Sequence, residues 1–193
     1  MKFFQRFRDQ METRRLVLRR WKHRDLADYV RIVSDLEVMA PAGCRPVQNL
    51  EEAASMLARD VRNEMCYAIT LKDTDEVVGR IKFQTDLRRF HVNSLSVGYE
   101  LRRDQWGQGY MTEALGAMVH YAFEKRKVDV MGISHYADNL RSKRVIEKCG
   151  FRREGVVPWA SKRFDGKICD DVCYSLLRED YFKAVSQNSQ LEP

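Results

Sequence analysis

No stretch of the 193-residue chain approaches the roughly 18 consecutive apolar residues of a membrane-spanning helix. The first ten residues, MKFFQRFRDQ, contain neither an apolar core nor a small-residue cleavage site. They do not read as a secretory signal, and a cytoplasmic location is expected. The five cysteines, Cys44, Cys66, Cys149, Cys169 and Cys173, form no CxxC pair and no metal-like cluster with the four histidines. Such cysteines read as reduced thiols that pack as small hydrophobes, and no metal is expected. There is no internal repeat, no low-complexity block and no break in composition. No RNA-binding signature with interleaved aromatics occurs, although the net charge of +6 would attract a polyanion or a phosphorylated cofactor.

What is present is an ordinary soluble composition, 44% hydrophobic and 32% charged, long enough for one domain with a sizeable core. Residues 1–12 read as a loosely attached basic arm, 13–182 as one domain, and 183–193 as a polar tail. Alternation in TRRLVLRRW predicts a strand over 13–21. Leu26, Tyr29, Val30 and Val33 give a first helix, and residues 39–47, with Pro41, Gly43 and Pro46, a loop. Asn49 with Glu52 opens a second helix in the manner of a capping box. Strands follow at 66–71 and 77–85, joined by a polar turn, and at 93–101.

The stretch that organises the chain is residues 101–123, LRRDQWGQGYMTEALGAMVHYAF. Gly107 and Gly109 let the backbone turn sharply and expose its N–H groups. The helix that follows repeats Met111, Ala114, Leu115, Met118, Val119, Ala122 and Phe123 on one face. The N–H groups of Gly107, Gln108, Gly109, Tyr110 and Met111 therefore lie at the positive end of a helix dipole, a phosphate-binding arrangement. The alternative is a plain strand-to-helix turn that happens to hold two glycines. Further on come a strand at 128–136, a helix at 139–149 ended by Gly150, and a hairpin turning on Asp165-Gly166. The fold class is α/β with a mixed sheet, in the order β-α-α-β-β-β-α-β-α-β-β.

This order resembles the GNAT acetyltransferase fold, with a mostly antiparallel central sheet flanked by helices. The likeness covers residues 13–182 and is greatest to the ribosomal-protein alanine and serine N-terminal acetyltransferase branch. Three blocks carry it: TRRLVLRRW, VGYELRRDQWGQGYMTEAL and ADNLRSKRVIEKCGFRREG, followed by the DGKICDDVCYSLL hairpin. The family's loop is written Q/R-x-x-G-x-G/A, and Trp106 and Met111 depart from it.

The resemblance implies acetyl-CoA as donor and an amine as acceptor, either a peptide N-terminus or a small molecule. It implies direct attack in a ternary complex, with pyrophosphate on the glycine loop and Arg102 and Arg103 adding charge. Pantetheine would pair along Tyr99–Leu101. Asn139 and Ser142 match the family's N-x-x-S, where Asn139 contacts pantetheine or substrate, or else simply caps the helix. The family's usual tyrosine acid falls at Ile146, which leaves Ser142 to protonate the departing thiolate. The usual glutamate falls at Ser96, and Glu100, of the same parity on its strand, is the candidate base or else an ion-paired glutamate. His135 and Tyr136 end their strand near Asn139 and are alternatives for facing the acceptor, with His135 otherwise a packed histidine; Glu113 reads as support for the helix start. Nucleic acid and membrane partners are not expected, and a homodimer is compatible with the family. A non-catalytic acyl-CoA sensor with the same fold is the alternative function.

Overall fold

The computed structural model describes residues 10–189. The expected basic arm lies outside them except for its last residues. Met11–Glu12 form a short strand, β1, that pairs antiparallel with β2, Leu16–Arg20. The helices α1 (Leu26–Val33), α2 (Leu36–Met39) and α3 (Leu50–Arg62) come next, with a 3-10 turn at Ala40–Ala42 between the last two. Three antiparallel strands follow: β3 (Cys66–Leu71), β4 (Val77–Gln84) and β5 (Ser94–Leu101). Then come α4 (Tyr110–Glu124), β6 (Val130–Tyr136), α5 (Leu140–Lys148), β7 (Arg152–Lys162), β8 (Ile168–Leu177) and α6 (Arg178–Ser189).

All eight strands make one sheet in the order β1-β2-β3-β4-β5-β6-β8-β7. Every neighbouring pair is antiparallel except β5 and β6, which run parallel. That parallel pairing is short, from Ser94 opposite Val130 to Ser96 opposite Gly132. Beyond it the strands part, each keeping its outer partner: β5 stays on β4 through Leu101, and β6 stays on β8 through Tyr136. The sheet is thus split at its centre.

Alternation along the strands sends side chains to two cores. One face carries Leu16, Leu18, Ile69, Ile81, Phe83, Val97 and Met131 against α4. All seven stripe residues of α4 are buried there. Full burial of each larger member contributes about 1.5–3 kcal/mol. The other face packs Cys66, Ala68 and Val77 under Tyr29, Ile32, Met39 and Leu57 of α1, α2 and α3.

One expectation is corrected. The segment 39–47, read as a loop, begins inside a four-residue helix, Leu36–Met39, and continues as a 3-10 turn at Ala40–Ala42; the Asp35 carboxylate starts that helix by accepting from the Glu37 N–H at 2.9 Å. The short closing helix expected over residues 176–185 is α6, which runs to Ser189. Tyr181 stacks on Phe123 with centroids 5.1 Å apart, and the Arg178 guanidinium donates to the Phe123 carbonyl at 2.8 Å. These contacts hold α6 on the core.

Candidate active site

The gap between the parted strands opens into a cleft of about 640 Å³. Its walls bring together Tyr99, Glu100 and Leu101 of β5, Trp106, Gly107, Gly109, Tyr110 and Met111 of the loop and α4, and Asn139 and Ser142 at the start of α5. Ten of the twelve candidate residues therefore share one cavity, although they come from three separate stretches of sequence. Pro41, Ala42 and Cys44 of the loop after α2 cover the mouth, and the Asn139 amide reaches the Pro41 carbonyl at 3.5 Å.

The glycine loop is built as its composition dictates. Gly107 and Gly109 have φ of +79° and +81°, a region that L side chains avoid. Gly109 is the N-cap of α4, so no side chain caps the helix. The helices α3 and α5, by contrast, are capped by Asn49 and Asn139, which accept from the N–H groups of Glu52 and Ser142. The first turn of α4 keeps its N–H groups free of such a cap, and an anion fits there.

The loop is clamped from outside. Arg15 donates to the Gln108 carbonyl at 2.9 Å, stacks over Tyr110 at 4.5 Å and pairs with Glu113 at 2.7 Å. Glu113 also accepts from the Arg15 N–H at 2.8 Å and the Thr13 hydroxyl at 2.6 Å. Burial works against its charge, but these bonds outweigh it and hold its pKa below the usual carboxylate value. Glu113 thus fastens the start of α4 to the entry into β2.

Trp106 stands where the family writes a polar residue. Its indole N–H donates to the Leu101 carbonyl at 2.9 Å, and the Arg141 guanidinium lies 3.9 Å over its ring. The sequence reading did not pick out Arg141, Arg144 and Lys148, which line the cleft at helical spacing along α5. Three basic residues at that spacing in ADNLRSKRVIEK were the available signal.

Two of the twelve, Arg102 and Gln108, fall outside the cavity, as does Arg103. Arg102, expected to add charge near phosphate, is only 3% exposed; it pairs with Glu76 and Asp104, each at 2.6 Å. Those two carboxylates consume its charge, so the reading as a phosphate ligand is corrected to a structural ion pair. Arg103 likewise pairs with Asp35, at 3.1 Å. The Gln108 side chain bonds to Gln105, and only its backbone belongs to the loop.

The chemistry-bearing groups lie on opposite faces of β5. On the α5 side the Tyr99 and Ser142 hydroxyls are 2.9 Å apart. Burial pushes the Tyr99 phenol above its ordinary pKa, so it stays protonated. On the other face Glu100, 5% exposed, pairs with Arg80 at 3.2 Å. Arg80 also holds Asp60 through bonds of 2.6 and 3.0 Å, and the Tyr29 hydroxyl donates to Asp60 at 2.7 Å. One guanidinium thus serves two carboxylates, and the buried group carries an excess negative charge next to the cleft.

His135 and Tyr136 both line the cavity, and His135 is packed: it is 5% exposed, with Nδ1 2.7 Å from the Tyr136 carbonyl and its ring against Tyr174. Cys44 lines the cavity, but burial raises its pKa, which leaves a protonated, weakly nucleophilic thiol. Among the described residues no group of His, Cys, Asp and Glu is arranged to hold a metal, and no helix is long and apolar enough to cross a membrane.

Residues 15–152 match the family described as the acetyltransferase (GNAT) domain. YoaA of Bacillus subtilis strain 168, described as an uncharacterized N-acetyltransferase, is 29% identical over 152 residues, which cover 76% of this chain and 85% of YoaA. The Vibrio fischeri ribosomal-protein-S5-alanine acetyltransferase superposes with a TM-score of 0.72 at 18% identity, covering 89% of this chain and 98% of that one. The microcin C7 self-immunity acetyltransferase MccE, solved with acetyl-CoA and AMP, gives 0.72 at 20% identity, covering 86% and 93%. At those identities the two structures speak for the fold, and the family assignment rests on the match over most of the chain. This chain belongs to the GNAT acetyltransferase family, and its enzymatic class is N-acetyl transfer.

Proposed function

We propose that the protein moves an acetyl group from acetyl-CoA to a primary amine by direct attack within a ternary complex. The observation that carries this reading is the split of the sheet after Ser96 and Gly132, flanked by the uncapped start of α4 on one side and a carboxylate on the other. The backbone N–H groups from Gly107 to Met111 receive the donor's pyrophosphate, and Arg141, Arg144 and Lys148 add positive charge along that wall. The edge of Val97–Leu101 that β6 leaves open, apart from the Leu101 carbonyl taken by Trp106, accommodates the extended pantetheine arm as an added strand would pair.

The amine reaches the thioester from the face of Glu100. Its nitrogen bonds to the acetyl carbon, the carbon–sulfur bond breaks, and the amine proton passes to Glu100 directly or through one water. Ser142 delivers a proton to the departing sulfur, and the Tyr99 hydroxyl, bonded to Ser142, orients it. The raised pKa of the Cys44 thiol weighs against an acetyl-cysteine intermediate.

Release of CoA thiol, followed across acetyl-CoA and amine concentrations, tests this. Intersecting double-reciprocal lines are expected. Parallel lines would overturn direct attack, and tight acetyl-CoA binding without turnover on any amine would favour a sensor.

A further inference from the structure

On the acceptor side of the cleft, three neighbouring cross-strand pairs of β4 and β5 share one face: Arg80 with Glu100, Lys82 with Gly98, and Gln84 with Ser96. The first pair is closed on itself through Asp60. The other two are not. Among the described residues the side chains of Lys82, Gln84 and Ser96 make no hydrogen bond and no ion pair, although all three line the cavity. Two of them converge over Gly98. A β-carbon there would stand 2.8 Å from the Gln84 amide nitrogen and 3.9 Å from the Lys82 ε-carbon. The absence of a side chain at Gly98 is what allows the two donors to lie together.

We infer that the acceptor is an aminocarboxylate, its carboxylate held by Lys82, Gln84 and Ser96 and its amine directed toward Glu100. This rests on the acetyl-transfer reading of the same cleft. An ammonium, an amide N–H₂ and a hydroxyl all donate, so the group they suit is an anion. One cation with two neutral donors matches the single charge of a carboxylate. The nearby arginines are engaged elsewhere: Arg80 on Asp60 and Glu100, Arg88 on Asp171 at 3.3 Å, and Arg89 on Asp86 at 2.6 Å. Glu37, exposed at the rim, and Asp171, which also accepts from Ser134 at 3.4 Å, are the other acidic residues of this wall.

Spacing sets the size of the acceptor. Residues two apart on a strand lie about 6.6–6.8 Å from each other. Lys82 and the Arg80–Glu100 pair are one such step apart. A carboxylate and an amine separated by a few bonds span that step. A free amino acid and the N-terminal aspartate or glutamate of a peptide both satisfy this chemistry.

The test compares each acid with its amide on the unaltered protein. Free amino acids are set against amino acid amides. Tripeptide amides beginning with Asp or Glu are set against those beginning with Asn or Gln. The free-acid arm and the peptide arm separate the two sources. Acids are expected to exceed amides in kcat/KM by about 10–100-fold, mainly through KM, as befits a charge-assisted hydrogen bond. Lys82→Met is expected to collapse that ratio by tenfold or more. Amides acetylated as well as acids in both arms would overturn the inference, as would an unchanged ratio in a folded Lys82→Met protein. The acid-to-amide ratio of the unaltered protein decides the matter even where that variant fails to fold. Turnover on carboxylate-free amines alone overturns the aminocarboxylate and leaves acetyl transfer standing. No turnover on any amine, with acetyl-CoA still bound, removes both.

Discussion

Ser142 does two things with one position. Its N–H is bonded by the Asn139 side chain at 3.1 Å, so the helix start fixes its backbone, and its hydroxyl meets Tyr99 at 2.9 Å. If Ser142 is the proton donor proposed, a donor fixed in this way acts in the transition state more than in cofactor binding. Ser142→Ala is expected to lower kcat by about 10²-fold or more, with little change in acetyl-CoA affinity. Tyr99→Phe removes only the orienting bond, and a loss of about 5–10-fold in kcat is expected. Equal losses in kcat and in calorimetric acetyl-CoA affinity would reduce Ser142 to a cofactor contact. Across the strand, Glu100→Gln keeps the shape and removes the charge. The variant is expected to lose at least about 10²-fold in kcat/KM. A kcat/KM equal to the parent's would make Glu100 a partner of Arg80 and nothing more.

Among the elements, α4 was legible almost whole, because its burial follows a local period: the seven apolar residues read from sequence are the seven that are buried. The glycine loop and the Asp165-Gly166 turn were legible for the same reason, each declared by adjacent residues. What fastens α4 was not legible. Thr13 and Arg15 meet Glu113 across 100 and 98 positions, and no periodicity links them. Arg80, Asp60 and Glu100 are likewise joined only by the fold. Arg102 was misjudged because a charged pair beside a glycine loop looks the same in sequence whether it faces a ligand or two carboxylates. The short α2 was missed because four residues do not establish a helical period, and Pro41 and Gly43 lie just beyond it.

The Glu113 clamp makes a claim about stability. Its pKa is depressed on folding, so its contribution is complete above the unfolded carboxyl value of about 4.3 and is lost as pH falls through the lower folded value. Glu113→Gln is expected to cost about 1–3 kcal/mol in denaturant unfolding at pH 7. The gap from the parent should close as the pH is lowered below that window. A difference that stays constant into acid would mean the cost comes from shape and not from charge.

At the scale of the whole molecule, the central division of the sheet is what the other features serve. A continuous sheet would satisfy the edges of β5 and β6 with each other. Here they part after three residue pairs, and the loop after α2, the start of α4 and α5 close around the gap. Free strand edges and an uncapped helix start are unsatisfied in the protein alone, and a ligand that engages both should stabilise the fold. Acetyl-CoA at about a hundred times its Kd adds about 2.7 kcal/mol. In a chain of this length that corresponds to a rise in Tm of about 5–10 °C. Gly109→Asp would set a carboxylate against the proposed pyrophosphate site, and it forces an L side chain to φ +81° with its β-carbon 3.4 Å from Arg15. The strain, about 1–2 kcal/mol, should lower the Tm of the free protein by a few degrees. The added carboxylate should separately abolish the rise given by acetyl-CoA. Thermal melts with and without the ligand resolve the two effects. A Gly109→Asp protein that melts lower yet keeps the parent's full ligand-induced rise would show that the loop bends the chain without binding phosphate, and the donor would have to be anchored elsewhere along the cleft.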